Sequence, residues 1–136
     1  MLHRLLVLLG SLLFCCSLQA QDMATLNDFS LQGADGKMFS TSDFPNVKGF
    51  IVVFTCNHCP FAKLYSGRYN QLNKKYAPLG VPLIAINSMD TIAYDEESLE
   101  LMQKRAKSSS FSFPYLQDGT QSAGKQFGAE HTPQAF

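Results

Sequence analysis

Two stretches of the chain are apolar almost without interruption. Gly49-Phe50-Ile51-Val52-Val53-Phe54-Thr55 and Val81-Pro82-Leu83-Ile84-Ala85-Ile86-Asn87 are rich in β-branched and aromatic side chains, which predicts buried strands. Between them, Leu64, Tyr65, Tyr69, Leu72 and Tyr76 recur at a helical spacing. That stripe predicts a helix from Phe61 to about Tyr76, weakened at Gly67 and stopped by Ala77-Pro78-Leu79-Gly80. Two strands joined through a helix imply a parallel, right-handed crossover.

The flanks follow the same logic. Phe29-Ser30-Leu31 and Met38-Phe39 bracket Gly33-Ala34-Asp35-Gly36, and Asp-Gly supplies the positive φ that a tight hairpin needs. This hairpin is expected to cover one edge of the sheet, with Ser40 to Asp43 capping a short helical turn. Asp95-Glu96-Glu97 and Lys104-Arg105-Lys107 bracket Leu99, Met102 and Ala106. Acid at the start and base at the end complement a helix dipole, so this charge run reads as a solvated helix surface. Phe111 to Leu116 reads as a third strand, with Pro114 at an edge or strand end. Asp118-Gly119 turns into a short helix around Gln121 to Phe127.

The first twenty residues stand apart. Met1-Leu2-His3-Arg4 is a short cationic start, Leu5 to Phe14 is apolar, and Ser17-Leu18-Gln19-Ala20 ends on a small residue. That layout predicts a signal peptide over 1–20, cleaved after Ala20, and an exported, periplasmic or extracellular domain over 21–136. The alternatives are an uncleaved anchor, for which the apolar stretch is short, and lipidation at Cys15 or Cys16, which bulky Phe14 suits poorly. Composition adds little beyond this. Eleven basic residues balance eleven acidic ones, so nothing points to nucleic acid or to an anionic membrane surface. Cysteine usage adds more. Four cysteines are present, and loss of the signal would leave only Cys56 and Cys59, one pair spaced for redox work.

That pair lies in Cys56-Asn57-His58-Cys59-Pro60, where a strand ends and a helix begins. Unpaired amides and the dipole at a helix start stabilise a thiolate on Cys56. The two-residue spacer brings the second sulfur within reach of a disulfide. Pro60 is tolerated in a first turn that needs no amide from it. In this reading Cys56, the more exposed sulfur, attacks and Cys59 resolves. A charged His58 between them would favour the Cys56 thiolate and make the disulfide more oxidising, unless it is merely exposed on a loop. Lys63 reads as a solvated side chain.

Cys56-Asn57-His58-Cys59 after a buried strand, with Thr132-Pro133 near the end, resembles a thioredoxin-superfamily domain. Asn27 to Leu31 and Asp35-Gly36-Lys37 resemble the subgroup related to peroxiredoxins and membrane-linked thiol–disulfide oxidoreductases. Phe54 to Lys63 is similar to redoxin (peroxiredoxin-like, AhpC/TSA-type) proteins. The likeness runs from about Thr25 to Phe136. It implies an α/β, thioredoxin-like fold: a central mixed sheet flanked by helices, an N-terminal β-hairpin extension, and the C-terminal strand and helix missing. It further implies that Pro133 is a cis proline packed on the sulfurs and that Thr132 offers backbone pairing to an extended substrate. Thioredoxins bury an acid in the strand before the motif, whereas Ile51 to Phe54 contains none.

The implied activity is exchange of disulfides with partner proteins, with no cofactor and no bound metal. One rival is a thiol peroxidase acting on small peroxides through Cys56. Its usual Thr or Ser three residues before the cysteine is Val53 here, with Thr55 adjacent instead, and the later arginines are Arg68 and Arg105. A non-enzymatic rival is copper or zinc binding through the two cysteines with His58 or His131.

Overall fold

The computed structural model describes residues 27–136. The expected signal peptide, its cleavage after Ala20, Cys15 and Cys16 lie outside the described residues. Among those described, no helix is long and apolar enough to cross a membrane.

A six-stranded mixed sheet runs in the order β2-β1-β5-β4-β3-β6. Its strands are β1 (Ser30–Gly33), β2 (Met38–Ser40), β3 (Ile51–Phe54), β4 (Leu83–Asn87), β5 (Tyr115–Gln117) and β6 (Gln134–Ala135). β3, β4 and β5 are parallel, and the hairpin β1–β2 joins β5 antiparallel. The hairpin therefore closes that edge as expected, and its turn places Gly36 at φ 84°. On the other side β6 pairs antiparallel with β3, so the first residues of the strand expected to be missing are present. Val52 and Phe136 exchange backbone hydrogen bonds of 3.0 and 2.8 Å there.

Alternation along the central strands fills both faces, which is why their apolar runs are continuous. Val53, Leu83, Ala85 and Tyr115 pack with Tyr69, Met102 and Phe113 on one face. Val52, Phe54, Ile84, Ile86 and Leu116 pack with Leu31 and Ala123 on the other. The third strand is shorter than the pattern suggested. It starts after Pro114 and lies inside the sheet, while Phe111 and Phe113 pack against the core from the preceding loop.

Among the described residues four α-helices flank the sheet: α1 (Pro60–Leu64), α2 (Ser66–Tyr76), α3 (Leu99–Ser108) and α4 (Ser122–Phe127). The single helix expected over 61–76 is thus broken at Tyr65. The reason is tertiary. Arg105 reaches in from α3 and donates from Nη2 to the Ala62 carbonyl at 3.1 Å and to Ser66 Oγ at 3.3 Å. A side chain inserted into the helical ladder in this way interrupts it. The stripe also fails as drawn. Leu64 is 75% exposed, and the inward face carries Ala62, Tyr69 and Asn73. Asn73 accepts the Leu83 amide at 3.0 Å and donates to the Ser112 carbonyl at 2.7 Å, fastening α2 to β4 and to the loop before β5.

Candidate active site

Cys56 lies two residues past Phe54, the end of β3, and Cys59 is the N-cap of α1 with Pro60 in the first turn. Both are free thiols. The expected exposures are reversed: Cys56 is 0% exposed and Cys59 is half-buried. Cys56 is covered because its Sγ lies 3.1 Å from Thr132 Oγ1, which follows α4 and precedes β6. The Thr132–Pro133 peptide bond is cis. The Thr132 side chain thus reaches Cys56, a contact distinct from the backbone pairing to a substrate that the resemblance implied for Thr132. Burial pushes the Cys56 thiol up. The Thr132 hydroxyl and the Cys59 amide pull it down, the Glu97 carboxylate and the Cys59 sulfur oppose them, and the net direction is upward.

Glu97 is the residue that the sequence pattern misplaced. It belongs to a 3₁₀ turn over Asp95–Glu97 ahead of α3, and it is 0% exposed, not part of a solvated helix surface. Its Oε2 accepts the Asn57 amide at 2.7 Å and Asn87 Nδ2 at 2.6 Å. Oε1 accepts the His58 amide at 3.0 Å and lies 2.5 Å from His58 Nδ1. Burial alone would raise this carboxyl. The two amides, the His58 ring and Asn87 outweigh it and hold the group below the ordinary carboxylate range. His58 is therefore not free between the sulfurs. Its ring pairs with Glu97 and stacks on Tyr94, centroids 5.1 Å apart and planes 13° from parallel.

Arg105 complements this arrangement from α3. Its Nη1 donates to the carbonyls of Cys56 and Asn57, the latter at 3.0 Å, while Nη2 serves Ala62. A buried anion thus satisfies the donors of the Cys56–Cys59 loop and a cation satisfies its acceptors. Asn57 is fixed at both ends of its side chain, donating to the Glu96 carbonyl at 2.8 Å and accepting the Tyr115 hydroxyl at 2.9 Å. One signal for this network was present in the sequence: Asn87, a polar residue closing an otherwise apolar strand.

Other expected participants lie elsewhere. Arg68 sits over the Tyr65 ring, 5.0 Å from its centroid, and Lys63 is exposed. His131 is exposed at the rim of a groove of about 450 Å³ that runs beside Thr132 and Met89. Among the described residues, Cys56, His58 and Glu97 bring metal-ligand atoms within 4.8 Å of one another. Each Glu97 oxygen already takes two hydrogen-bond contacts, so a metal there would have to displace backbone amides. The fit to a metal is poor.

Residues 22–136 match the family model described as AhpC/TSA family. No curated protein sequence matches the chain. Among solved structures, a hypothetical protein of Sinorhizobium meliloti is 37% identical, with a TM-score of 0.76 over 82% of this chain and 61% of that one. The chain thus spans about three fifths of that relative's length. Peroxidoxin BcpB of Mycobacterium tuberculosis shares the fold at 18% identity and a TM-score of 0.64, covering 82% of this chain and 70% of its own. A secreted disulfide oxidoreductase of Mycobacterium tuberculosis, homologous to DsbE of E. coli, shares it at 16% identity and a TM-score of 0.62. That match covers 77% and 71% of the two chains. The fold is thioredoxin-like.

Proposed function

Since the chain belongs to the AhpC/TSA family, we propose that it is an exported thiol–disulfide oxidoreductase working through Cys56 and Cys59. The observation that carries this reading is the contact of 3.1 Å between Cys56 Sγ and Thr132 Oγ1, which joins the cysteine loop to the segment before β6. A partner chain laid along Thr132 and Pro133 would run beside Cys56, whose Sγ lies against the Thr132 hydroxyl. The groove beside Thr132 gives such a chain somewhere to lie.

The chemistry balances as two exchanges. The Cys56 thiolate attacks one sulfur of a partner disulfide, forming a mixed disulfide and releasing the other partner sulfur as a thiolate. The Cys59 thiolate then attacks Cys56 Sγ, closing the Cys56–Cys59 disulfide and releasing the second partner sulfur. Two electrons pass to the partner, and the protons lost by the two cysteines end on its thiols. The reverse sequence oxidises a partner dithiol.

Export is read from residues 1–20, and sequencing the N-terminus of secreted protein checks it: a chain beginning at Gln21 is expected. For the activity, a Cys59→Ser variant mixed with a disulfide-bearing protein such as insulin should trap a mixed disulfide on Cys56. Absence of any adduct, with the fold intact, would remove the reading. The peroxidase alternative has the family and the peroxidoxin likeness behind it. Arg105, however, is committed to backbone carbonyls, Arg68 sits on Tyr65, and Val53 stands where a hydroxyl donor is needed. Rapid sulfenate formation on mixing with hydrogen peroxide, outpacing exchange with insulin, would favour it instead.

A further inference from the structure

We propose that Glu97 biases the Cys56/Cys59 pair toward giving up electrons, by filling with a buried carboxylate the backbone amides that would otherwise face charge on Cys56. The proposal rests on the oxidoreductase reading and adds a direction to it.

The loop after Cys56 offers its successive amides as an anion site, the usual means of stabilising a thiolate at a strand–helix junction. Two of them are already taken. The amides of Asn57 and His58 both donate to Glu97, at 2.7 and 3.0 Å, from a residue about forty positions downstream. The Cys59 amide is left to Cys56. Glu97 also lies close to the sulfur: its carboxylate, His58 and Cys56 Sγ fall within 4.8 Å of one another. A thiolate on Cys56 would place a second negative charge beside a buried first one, whereas the disulfide adds none. Like charges in a buried site disfavour each other's ionisation.

The neighbouring groups do not cancel this. The His58 ring is bound to Glu97 and stacked on Tyr94, so any positive charge it carries pairs with the carboxylate first. Arg105 spends both terminal guanidinium nitrogens on carbonyls and Ser66. The Tyr115 hydroxyl serves Asn57, and Asn87 serves Glu97. The remaining titratable neighbours are Cys59, whose sulfur adds to the rise, and Tyr69, a buried phenol whose own ionisation the Cys56 sulfur opposes. Burial is the largest cause of the upward direction of the Cys56 thiol, and the Glu97 charge adds to it. A histidine between the cysteines, taken alone, pointed to an oxidising protein; its engagement by Glu97 reverses that expectation. Glu97 is a positioning residue, since it acts on the sulfur through the loop amides and its charge.

The test uses thiolate absorbance in a Cys59→Ala background and the equilibrium of the intact pair with an external dithiol. In the background protein, Cys56 should ionise no lower than an ordinary thiol. Adding Glu97→Gln should raise its thiolate fraction at about pH 8 roughly tenfold. In the intact pair, Glu97→Gln should move the equilibrium with the dithiol about threefold toward reduced protein at about pH 9, or about 15 mV. The shift should vanish near about pH 6, where both proteins are protonated; a purely structural role would not produce that pH dependence. Glu97→Asp, which keeps the charge, should stay close to the parent. Ionisation of Cys56 well below the ordinary thiol range in the background protein overturns the inference, and that measurement needs no Glu97 variant. So does an unchanged titration in a folded Glu97→Gln protein. If the parent pair cannot be cycled between joined and free forms, the oxidoreductase reading itself fails.

Discussion

Among the described residues two carboxylates, Glu97 and Asp118, are wholly buried, and they do the same structural work in two different loops. Asp118, after β5, accepts the amides of Ser122 and Gly124 at 3.0 and 2.9 Å and the Ser88 hydroxyl at 2.8 Å, so that α4 starts against the loop after β4. Glu97 accepts two amides and an amide side chain in the same manner. The difference is what each anion has beside it. Asp118 is surrounded by hydroxyls and backbone, and its charge serves only the turn. Glu97 has a thiol and an imidazole within reach, so the same capping interaction also alters the chemistry of a reactive sulfur. Capping a loop with a charge is cheap in geometry, but its electrostatic effect depends on the neighbours.

Removing the charges should separate these roles. The largest effect is expected from Glu97→Ala, which leaves two backbone amides and Asn87 buried without an acceptor and Arg105 without its counterpart. Denaturant unfolding should show a loss of about 4 kcal/mol at neutral pH. Because folding lowers the Glu97 carboxyl below its ordinary value of 4.5, its stabilisation is complete above that pH and disappears as pH falls through the folded value. The gap between parent and variant should therefore close in acid. If it persists undiminished, the carboxylate charge is not what holds the loop.

Asp118→Ala should cost less, about 2 kcal/mol, through loss of a helix start and of the Ser88 contact. It should leave the Cys56 titration where it is; a moved titration would mean that Asp118 also influences the sulfur and would end the contrast. The smallest effect belongs to Tyr69, whose hydroxyl is buried with no hydrogen-bond partner among the described residues. Tyr69→Phe should change stability by less than about 0.5 kcal/mol or raise it slightly, because no bond is lost and a desolvated group is removed. A larger loss would point to an ordered water on that hydroxyl.

The strands were legible because they are buried on both faces: Val52 to Phe54 and Leu83 to Ile86 have no polar interruption to hide them. The hairpin was legible from Asp35-Gly36, and the cis Thr132–Pro133 bond from the resemblance alone. Glu97 and Arg105 were not. Three acids before a helix and three bases near its end satisfy a dipole argument that treats every member as solvated, and local pattern does not distinguish Glu97 from Glu96. What separates them is the loop from β3 that arrives beneath Glu97 in three dimensions. The broken helix was hidden for the same reason, since its interruption comes from a guanidinium more than forty residues away.

The side-chain ties that hold the cysteine loop run forward along the chain, to Glu97, Arg105, Tyr115 and Thr132. A polypeptide released only as far as Met89 already carries both thiols but lacks the carboxylate, the guanidinium and the threonine that govern them. During synthesis the pair is therefore chemically present before it is regulated. Its sulfurs take on their mature reactivity only when the last quarter of the chain has closed over them.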